Sequence, residues 1–299
     1  MKTNQPLDLS YKNWSLNSID KTILDLAIKE DLVDPLCDIT TQTLFKEIDD
    51  QQLVKIISKD TQNIVICGLP ITHAILDKLN AKYKIQTSFC DGNILKPNET
   101  LLLLESNAQS LLMAERLILN FLRHLSAIAT LTNQFVKKIE HTKTKILDTR
   151  KTTPGLRHFE KYAVYCGGGI NHRMGLYDAY MIKDTHLDLI GGIKNALEKI
   201  PSKNENTLPV IIEIRNLDEL HQTIQFGRNK VTRVLLDNMP IKLLKEAVSL
   251  CQNIFETEAS GNINLDTISA IAETGVNYAS VGMLTYAADQ VDLSMQGIN

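Results

Sequence analysis

The sequence predicts an α/β protein in two parts, a small α+β region followed by a parallel sheet built from repeated βα units. Two observations carry this. From residue 144 onward, short apolar runs alternate with helix-spaced segments in units of about 20–35 residues, the pattern of strands joined by crossover helices. Ahead of them, Ala108 to about Lys138 contains no Gly or Pro and is rich in Leu, Ala and Ile, which predicts one or two long helices.

The elements follow in order. Ile19, Ile23, Leu24, Leu26 and Ala27 recur at helical spacing behind the polar pair Asn17-Ser18, predicting a capped helix over residues 18–30. Short β-type runs lie at Leu53–Ser58, Ile64–Cys67, Tyr83–Phe89 and Thr100–Leu104, separated by turn residues such as Gly68-Leu69-Pro70 and Asp91-Gly92-Asn93. In the second part, strands are expected at Lys145–Asp148, Ala179–Lys183, Val210–Ile214, Arg233–Asp237, Ile254–Glu258 and Tyr278–Gly282. Between them, Ile190, Ile193, Leu197 and Ile200 predict a helix stopped by Pro201. Leu217, Leu220 and Ile224 predict another, Leu244, Ala247, Val248 and Cys251 a third, and Leu265, Ile268 and Ile271 a fourth before Gly275. The units imply a parallel sheet, open or closed into a barrel, and the six strands are two short of a full eightfold barrel.

Composition narrows the function. At 299 residues a chain buries about three quarters of its unfolded surface, so a core forms without staples. With 32 Lys+Arg against 35 Asp+Glu, the net charge of −3 argues against nonspecific nucleic-acid binding. Any anionic ligand must meet a local cluster of cations. The five cysteines lack a Cys-x-x-Cys pair, which suggests neither a disulfide framework nor a zinc site and fits a reducing cytoplasm. Met1–Pro6 lacks an apolar signal core, and no run approaches the roughly 18 apolar residues of a membrane span.

Parallel βα architectures place their ligands at the carboxyl ends of the strands. The expected ends carry Asp148-Thr149-Arg150-Lys151, Lys183-Asp184, Glu213-Ile214-Arg215, Asp237-Asn238, Glu258-Ala259-Ser260-Gly261-Asn262 and Ser280-Val281-Gly282. Arg150, Lys151 and Lys183, with His172 and Arg173 after the glycines at 167–169, outnumber what a neutral ligand requires and point to a polyanion. Glu213 and Asp237 on neighbouring strands suit a hard cation such as Mg²⁺. Ser260-Gly261 and Gly282, each before a helix, suit a phosphate cradled by backbone N–H groups.

Each residue also has a plainer reading. One Lys or Arg at a strand end is ordinarily a solvated loop charge, and Glu213 or Asp237 could simply pair with Arg215 or Lys183. His124 and Ser126 within the long helix read as packing residues. Cys166 has no base paired with it in sequence and reads as inert. The joint pattern carries the inference.

The segments Thr149–Arg157, Glu160–Val164, Gly167–Asp178 and Ile182-Lys183-Asp184 resemble the quinolinate phosphoribosyltransferases, also called carboxylating nicotinate-nucleotide pyrophosphorylases. So do Leu236–Met239, Glu258–Gly261, Ser280–Gly282, and upstream Asp38–Thr41 and Ala114-Glu115-Arg116. The resemblance spans nearly the whole chain. It implies an N-terminal α/β sandwich over residues 1–115 and an incomplete, seven-stranded α/β barrel over residues 116–299, with about the last dozen residues returning to the first domain. That count leaves one strand beyond the six read above.

The resemblance further implies a homodimer, assembled further in some members, in which Arg116 enters the partner's site. Arg116, Arg150, Lys151, His172, Arg173 and Lys183 would line the quinolinate pocket. Glu213 and Asp237 would serve Mg²⁺ and the ribose; Ser260, Gly261, Asn262 and Gly282 would hold the 5-phosphate of phosphoribosyl pyrophosphate (PRPP). Lys151, Glu213 and Asp237 are the expected catalytic residues. Tyr286, Ala127, Met283 and Thr185 depart from the usual family residues. The implied reaction converts quinolinate and PRPP to nicotinate mononucleotide, pyrophosphate and CO₂, in the cytoplasm, with neither nucleic acid nor membrane as partner. Its competitors are a related enzyme acting on another anion, a Schiff-base lyase using Lys183 or Lys151, and a dicarboxylate sensor.

Overall fold

The computed structural model describes residues 14–33, 36–46, 50–202 and 207–298; Met1–Pro6, read above as lacking a signal core, lie outside them. The chain divides into two compact units. Among the described residues, one unit runs to Asn133 and takes in Thr152–Gly168 and the stretch from Ala287, and the other comprises Gln134–Lys151 and Gly169–Tyr286.

The first unit opens with helix α1, Ser18–Leu32, which starts where the polar pair predicts. The Asn17 side chain accepts from the Asp20 amide at 2.9 Å while Asp20 accepts from the Asn17 amide at 2.8 Å, a reciprocal capping box. Leu24, Ile28 and Leu32, four apart, form its buried stripe. Helix α2, Ile39–Leu44, is capped by Asp38, whose carboxyl the hydroxyl and amide of Thr41 hold below the usual range. Strands β1 (Gln51–Ser58), β3 (Lys84–Gln86), β5 (Thr100–Asn107) and β12 (Leu293–Gly297) make an antiparallel sheet in the order β12-β1-β5-β3. The C-terminal segment thus returns to this unit as an edge strand. Strands β2 (Ile64–Val65) and β4 (Ile94–Leu95) pair separately.

Helices α3 (Leu69–Lys78), α4 (Ala108–Lys138) and α5 (Arg157–Cys166) complete the first unit, α4 passing into the second unit at Gln134. The boundary read at 115/116 lies inside α4. Thr130 Oγ1 accepts from the Val65 amide at 2.8 Å and Ser126 Oγ from the Cys67 amide at 3.0 Å, so Ser126 is a packing residue. His124 Nε2 lies 3.0 Å from the buried Glu160. Cys67, Asp91 and Cys166 place their ligand-type atoms within 4.8 Å of one another, a cluster invisible in sequence. The Asp91 oxygens accept from the Gly68 and Leu69 amides, both at 3.0 Å, and from the Tyr162 hydroxyl at 2.9 Å. The carboxylate is thereby spent on the start of α3, and burial pushes the Cys67 thiol up. All five cysteines are free thiols.

The second unit holds six parallel strands: β6 (Lys145–Leu147), β7 (Tyr180–Ile182), β8 (Val210–Ile214), β9 (Arg233–Asp237), β10 (Glu256–Ser260) and β11 (Tyr278–Ser280). Their order is β6-β11-β10-β9-β8-β7. The further strand is a single residue: Ile170 forms a parallel bridge to Leu147, with its amide 2.8 Å from the Ile146 carbonyl. The sequence Ile170, β6, β11, β10, β9, β8, β7 is that of an α/β barrel opened between its second and third strands. One bridging residue is too short for any periodicity, which is why six strands and not seven were legible.

Two helical expectations are corrected. The helix expected through residues 190–200 is two, α6 (Asp184–Ile190) and α7 (Ile193–Lys199), because Gly191 and Gly192 take φ of +84° and +104°, which end α6. Helix α8 (Leu217–Gly227) and helix α9 (Ile241–Cys251) match, whereas α10 (Ile268–Ala272) starts after Leu265. Helix α11, Met283–Tyr286, follows Gly282 directly, where a helix was expected, whereas α2, α3 and α5 have no counterpart in the sequence reading. Strand β10 begins later than its apolar run because the Ile254 and Phe255 amides still bond the Cys251 carbonyl at the end of α9. No helix among the described residues is long and apolar enough to cross a membrane.

Candidate active site

Laterally paired residues of a parallel sheet share a face. The register therefore sorts the second unit's side chains into two sets. One face carries Ile146, Ile182, Ile212, Ile214, Val234, Leu236, Ala259 and Ala279, all buried and apolar. The other carries Glu213, Arg233, Asp237, Glu256, Glu258, Ser260 and Ser280, set among the apolar Leu147, Ile211 and Leu235. Helices cover the apolar face, so the polar one is the barrel interior, and its groups nearest the carboxyl ends form the site.

Glu213 and Asp237 sit on neighbouring strands of that face. Burial pushes the Glu213 carboxyl up, the negative charge of Asp237 adds to the shift, and Lys183 opposes it, so the three share one field. The plainer ion-pair reading does not hold for Arg215. Its guanidinium is taken by Glu219 at 2.7 Å and Asp188 at 3.2 Å. Among the described residues neither Glu213 nor Asp237 lies within ion-pair distance of a cation.

Asp237 accepts from the Asn238 side-chain amide at 2.8 Å, and Asn238 Oδ1 accepts from Asn262 at 3.0 Å. Asn238 fills the space beside Gly261, whose φ of +96° suits glycine. Lys151 lies against Gly282, which also faces the Tyr286 ring, and Thr285 Oγ1 donates to the Lys151 carbonyl at 2.6 Å. Lys151, Ser260, Gly261 and Gly282 therefore border one end of the same sheet.

The two arginines are arranged differently. Burial lowers the Arg173 pKa and the like charge of Arg150 lowers it further, so the guanidinium groups face each other's field. Arg173 Nη1 donates to the Ala179 carbonyl at 3.0 Å, but the buried Nε atoms of both arginines have no hydrogen-bond partner among the described residues. Two adjacent cations with orphaned donors are a standing demand for an anion. His172 is buried beside them. Its amide donates to Asp148 at 2.8 Å, its Nδ1 accepts from the Arg173 amide at 2.7 Å, and its Nε2 lies 3.3 Å from Glu258. Arg116 stands exposed on α4 in the other unit.

The supporting layer is what sequence reading missed. Asp148 is fully buried and also accepts from Asn171 at 2.5 Å. Arg233 bridges Glu256 and Glu258 at 3.1 and 3.0 Å and lies over the Tyr278 ring at 3.8 Å. Burial alone would raise the Glu258 carboxyl; His172, Arg233 and Ser280 more than offset it and hold the pKa at about 2. Acidic residues two apart inside a strand, and so on one face of it, as in Glu256-Thr257-Glu258, were the available signal.

Fold and site together define an incomplete α/β-barrel enzyme whose ligand is polyanionic. The comparisons with known proteins agree. The model of the quinolinate phosphoribosyl transferase N-terminal domain matches residues 38–126, and that of the C-terminal domain residues 128–296. The chain belongs to the quinolinate phosphoribosyltransferase family. It is 36% identical over 291 residues to quinolinate phosphoribosyltransferase [decarboxylating] 1b of Nicotiana tabacum, covering 92% of this chain and 81% of that one. It is 41% identical over 205 residues to a probable nicotinate-nucleotide pyrophosphorylase [carboxylating] of Bacillus subtilis, covering 69% and 70%. The solved nicotinate-nucleotide pyrophosphorylase of Francisella tularensis superposes with a TM-score of 0.87 at 39% identity, covering 96% of this chain and 98% of that one.

Proposed function

We propose that this protein transfers the phosphoribosyl group of PRPP to quinolinate and decarboxylates the product, giving nicotinate mononucleotide, pyrophosphate and CO₂. The observation that carries this reading is the pair Arg150 and Arg173, two neighbouring guanidinium groups whose buried Nε donors have no hydrogen-bond partner among the described residues. A planar ring bearing two adjacent carboxylates supplies the paired acceptors that such forks bind.

The other residues follow the charge that the reaction develops. Departure of pyrophosphate leaves positive charge on the ribose, which the carboxylates Glu213 and Asp237 offset. Lys151 and Lys183 neutralise and orient the anionic groups. Ser260, Gly261, Asn262 and Gly282 hold the 5-phosphate at helix and loop N–H groups. After the pyridine nitrogen attacks, the ring is a pyridinium and accepts the electron pair released as the 2-carboxylate leaves, so no organic cofactor is needed.

Glu213 and Asp237 fit a divalent cation, because the charge of Asp237 raises the cost of ionising Glu213 and, among the described residues, neither carboxylate lies within ion-pair distance of a cation. They would hold Mg²⁺, which when bound supplies charge to the oxygens of the leaving group. Arg116, exposed and without a hydrogen bond or ion pair among the described residues, suits a contact with a second copy of the chain in a homodimer. Five free thiols fit a reducing cytoplasm.

The test incubates the protein with quinolinate, PRPP and Mg²⁺ and measures nicotinate mononucleotide and CO₂, with nicotinate as the comparison substrate. Equimolar formation of both products from quinolinate is expected. Absence of product with quinolinate, or faster turnover of nicotinate, overturns the reading.

A further inference from the structure

Resting on that reading, the geometry points to Glu258, clamped by Arg233, as a positioning residue that backs the His172 ring and, through it, the seat of the quinolinate-binding Arg173. Glu258 does not reach the site's edge; it lies within strand β10 and is fully buried. One oxygen accepts from Ser280 and faces His172 Nε2 at 3.3 Å, and the other takes Arg233 Nη1 at 3.0 Å. Arg233 is in turn held by Glu256 and the Tyr278 ring, so the carboxylate has little freedom to move.

Following the hydrogen bonds outward gives the consequence. The Arg173 amide donates to His172 Nδ1 at 2.7 Å, so that nitrogen carries a lone pair and the ring's proton belongs on Nε2, the atom facing Glu258. Nδ1 is thereby committed to the Arg173 amide, and Nε2 faces Glu258 across 3.3 Å. The His172 amide and the Asn171 side chain are pinned separately by Asp148. The segment from Asn171 to Arg173 is thus gripped from β6 by Asp148 and from β10 by Glu258. Arg173 leaves this grip to present an Nε that has no hydrogen-bond partner among the described residues. His172 acts through Arg173, as a strut.

The test is Glu258→Gln. Its single carbonyl oxygen cannot serve Arg233 and His172 together, and its amide turns a donor toward one of them. The KM for quinolinate should rise about tenfold, the scale of one charge-assisted contact, with the KM for PRPP within about twofold. Equal loss of both, or no change in either, overturns the proposal. Should the variant fail to fold, ¹⁵N-histidine NMR of the native protein decides. A His172 signal with the proton on Nε2, unchanged by quinolinate, is expected; a proton on Nδ1 overturns the proposal. A native enzyme inactive on quinolinate refutes the functional reading, and the NMR measurement still decides the strut.

Discussion

The Asn238 side chain occupies the space that any side chain at residue 261 would need: a Cβ built on Gly261 would stand 2.2 Å from Asn238 Oδ1. Asn238 cannot simply withdraw, since its amide donates to Asp237 and its carbonyl accepts from Asn262. Gly261→Ala should therefore displace the Asp237 contact as well as strain the loop. We expect kcat/KM for PRPP to fall about 100-fold and Tm to drop by a few degrees, consistent with one strained backbone position of about 1–3 kcal/mol. Steady-state kinetics with full activity would show that this corner does not bind the phosphate.

Arg150 and Arg173 should each be needed for quinolinate and not for PRPP. Replacing either by Ala removes charge-assisted bonds of about 1.5–3 kcal/mol apiece, so the KM for quinolinate should rise about 10- to 100-fold. Lys at either position should restore little, because an ammonium cannot reproduce a planar fork. Full rescue by Lys in the same kinetics would remove the bidentate argument.

Glu213→Gln and Asp237→Asn should each raise the Mg²⁺ concentration needed for half-maximal activity about tenfold, as expected for losing one carboxylate ligand. Removing divalent ions with a chelator should abolish turnover, and added Mg²⁺ should restore it. Undiminished turnover after chelation excludes the assigned metal role.

At quinolinate near the native KM, Arg116→Ala alone should retain little activity, as should Arg150→Ala. After subunit exchange, a mixture of the two should regain about a quarter of native activity, since mixed dimers retain one intact site when a site draws on both chains. No recovery, with exchange proven, would place Arg116 outside the active site.

Acid stability should carry the signature of Glu258. Its folded pKa of about 2 lies below the ordinary 4.5, so ionisation stabilises the fold above pH 4.5 and that contribution is lost as pH falls towards 2. Glu258→Gln should flatten the decline of Tm over that window. A parallel decline in both proteins would assign the acid sensitivity to other carboxylates.

Much of this molecule is legible in its letters. Helix starts such as Asn17, and the strands at Val210–Ile214 and Arg233–Asp237, follow from periodicity and capping because both depend on neighbours within a few residues. Strand-end chemistry was legible for the same reason: once the βα rhythm is counted, the ends are known, and Arg150, Lys183, Glu213 and Asp237 stand on them.

What the letters do not carry depends on residues far apart in the chain. Ile170 becomes a strand only because Leu147 lies beside it, and no local pattern announces a one-residue bridge. Asp148 and Glu258 read only as strand-end groups and Arg233 only as the start of a strand, until the register brings Arg233 and Glu258 onto one face and burial and pairing decide their state. The sequence by itself determined the class of fold and the kinds of group at the strand ends, because secondary structure answers to local sterics and to spacing. Only the tertiary structure decided which groups are spent on each other and which donors are left for a ligand. Hydrogen bonds and charge screening act across a few ångströms of space, whatever the separation along the chain.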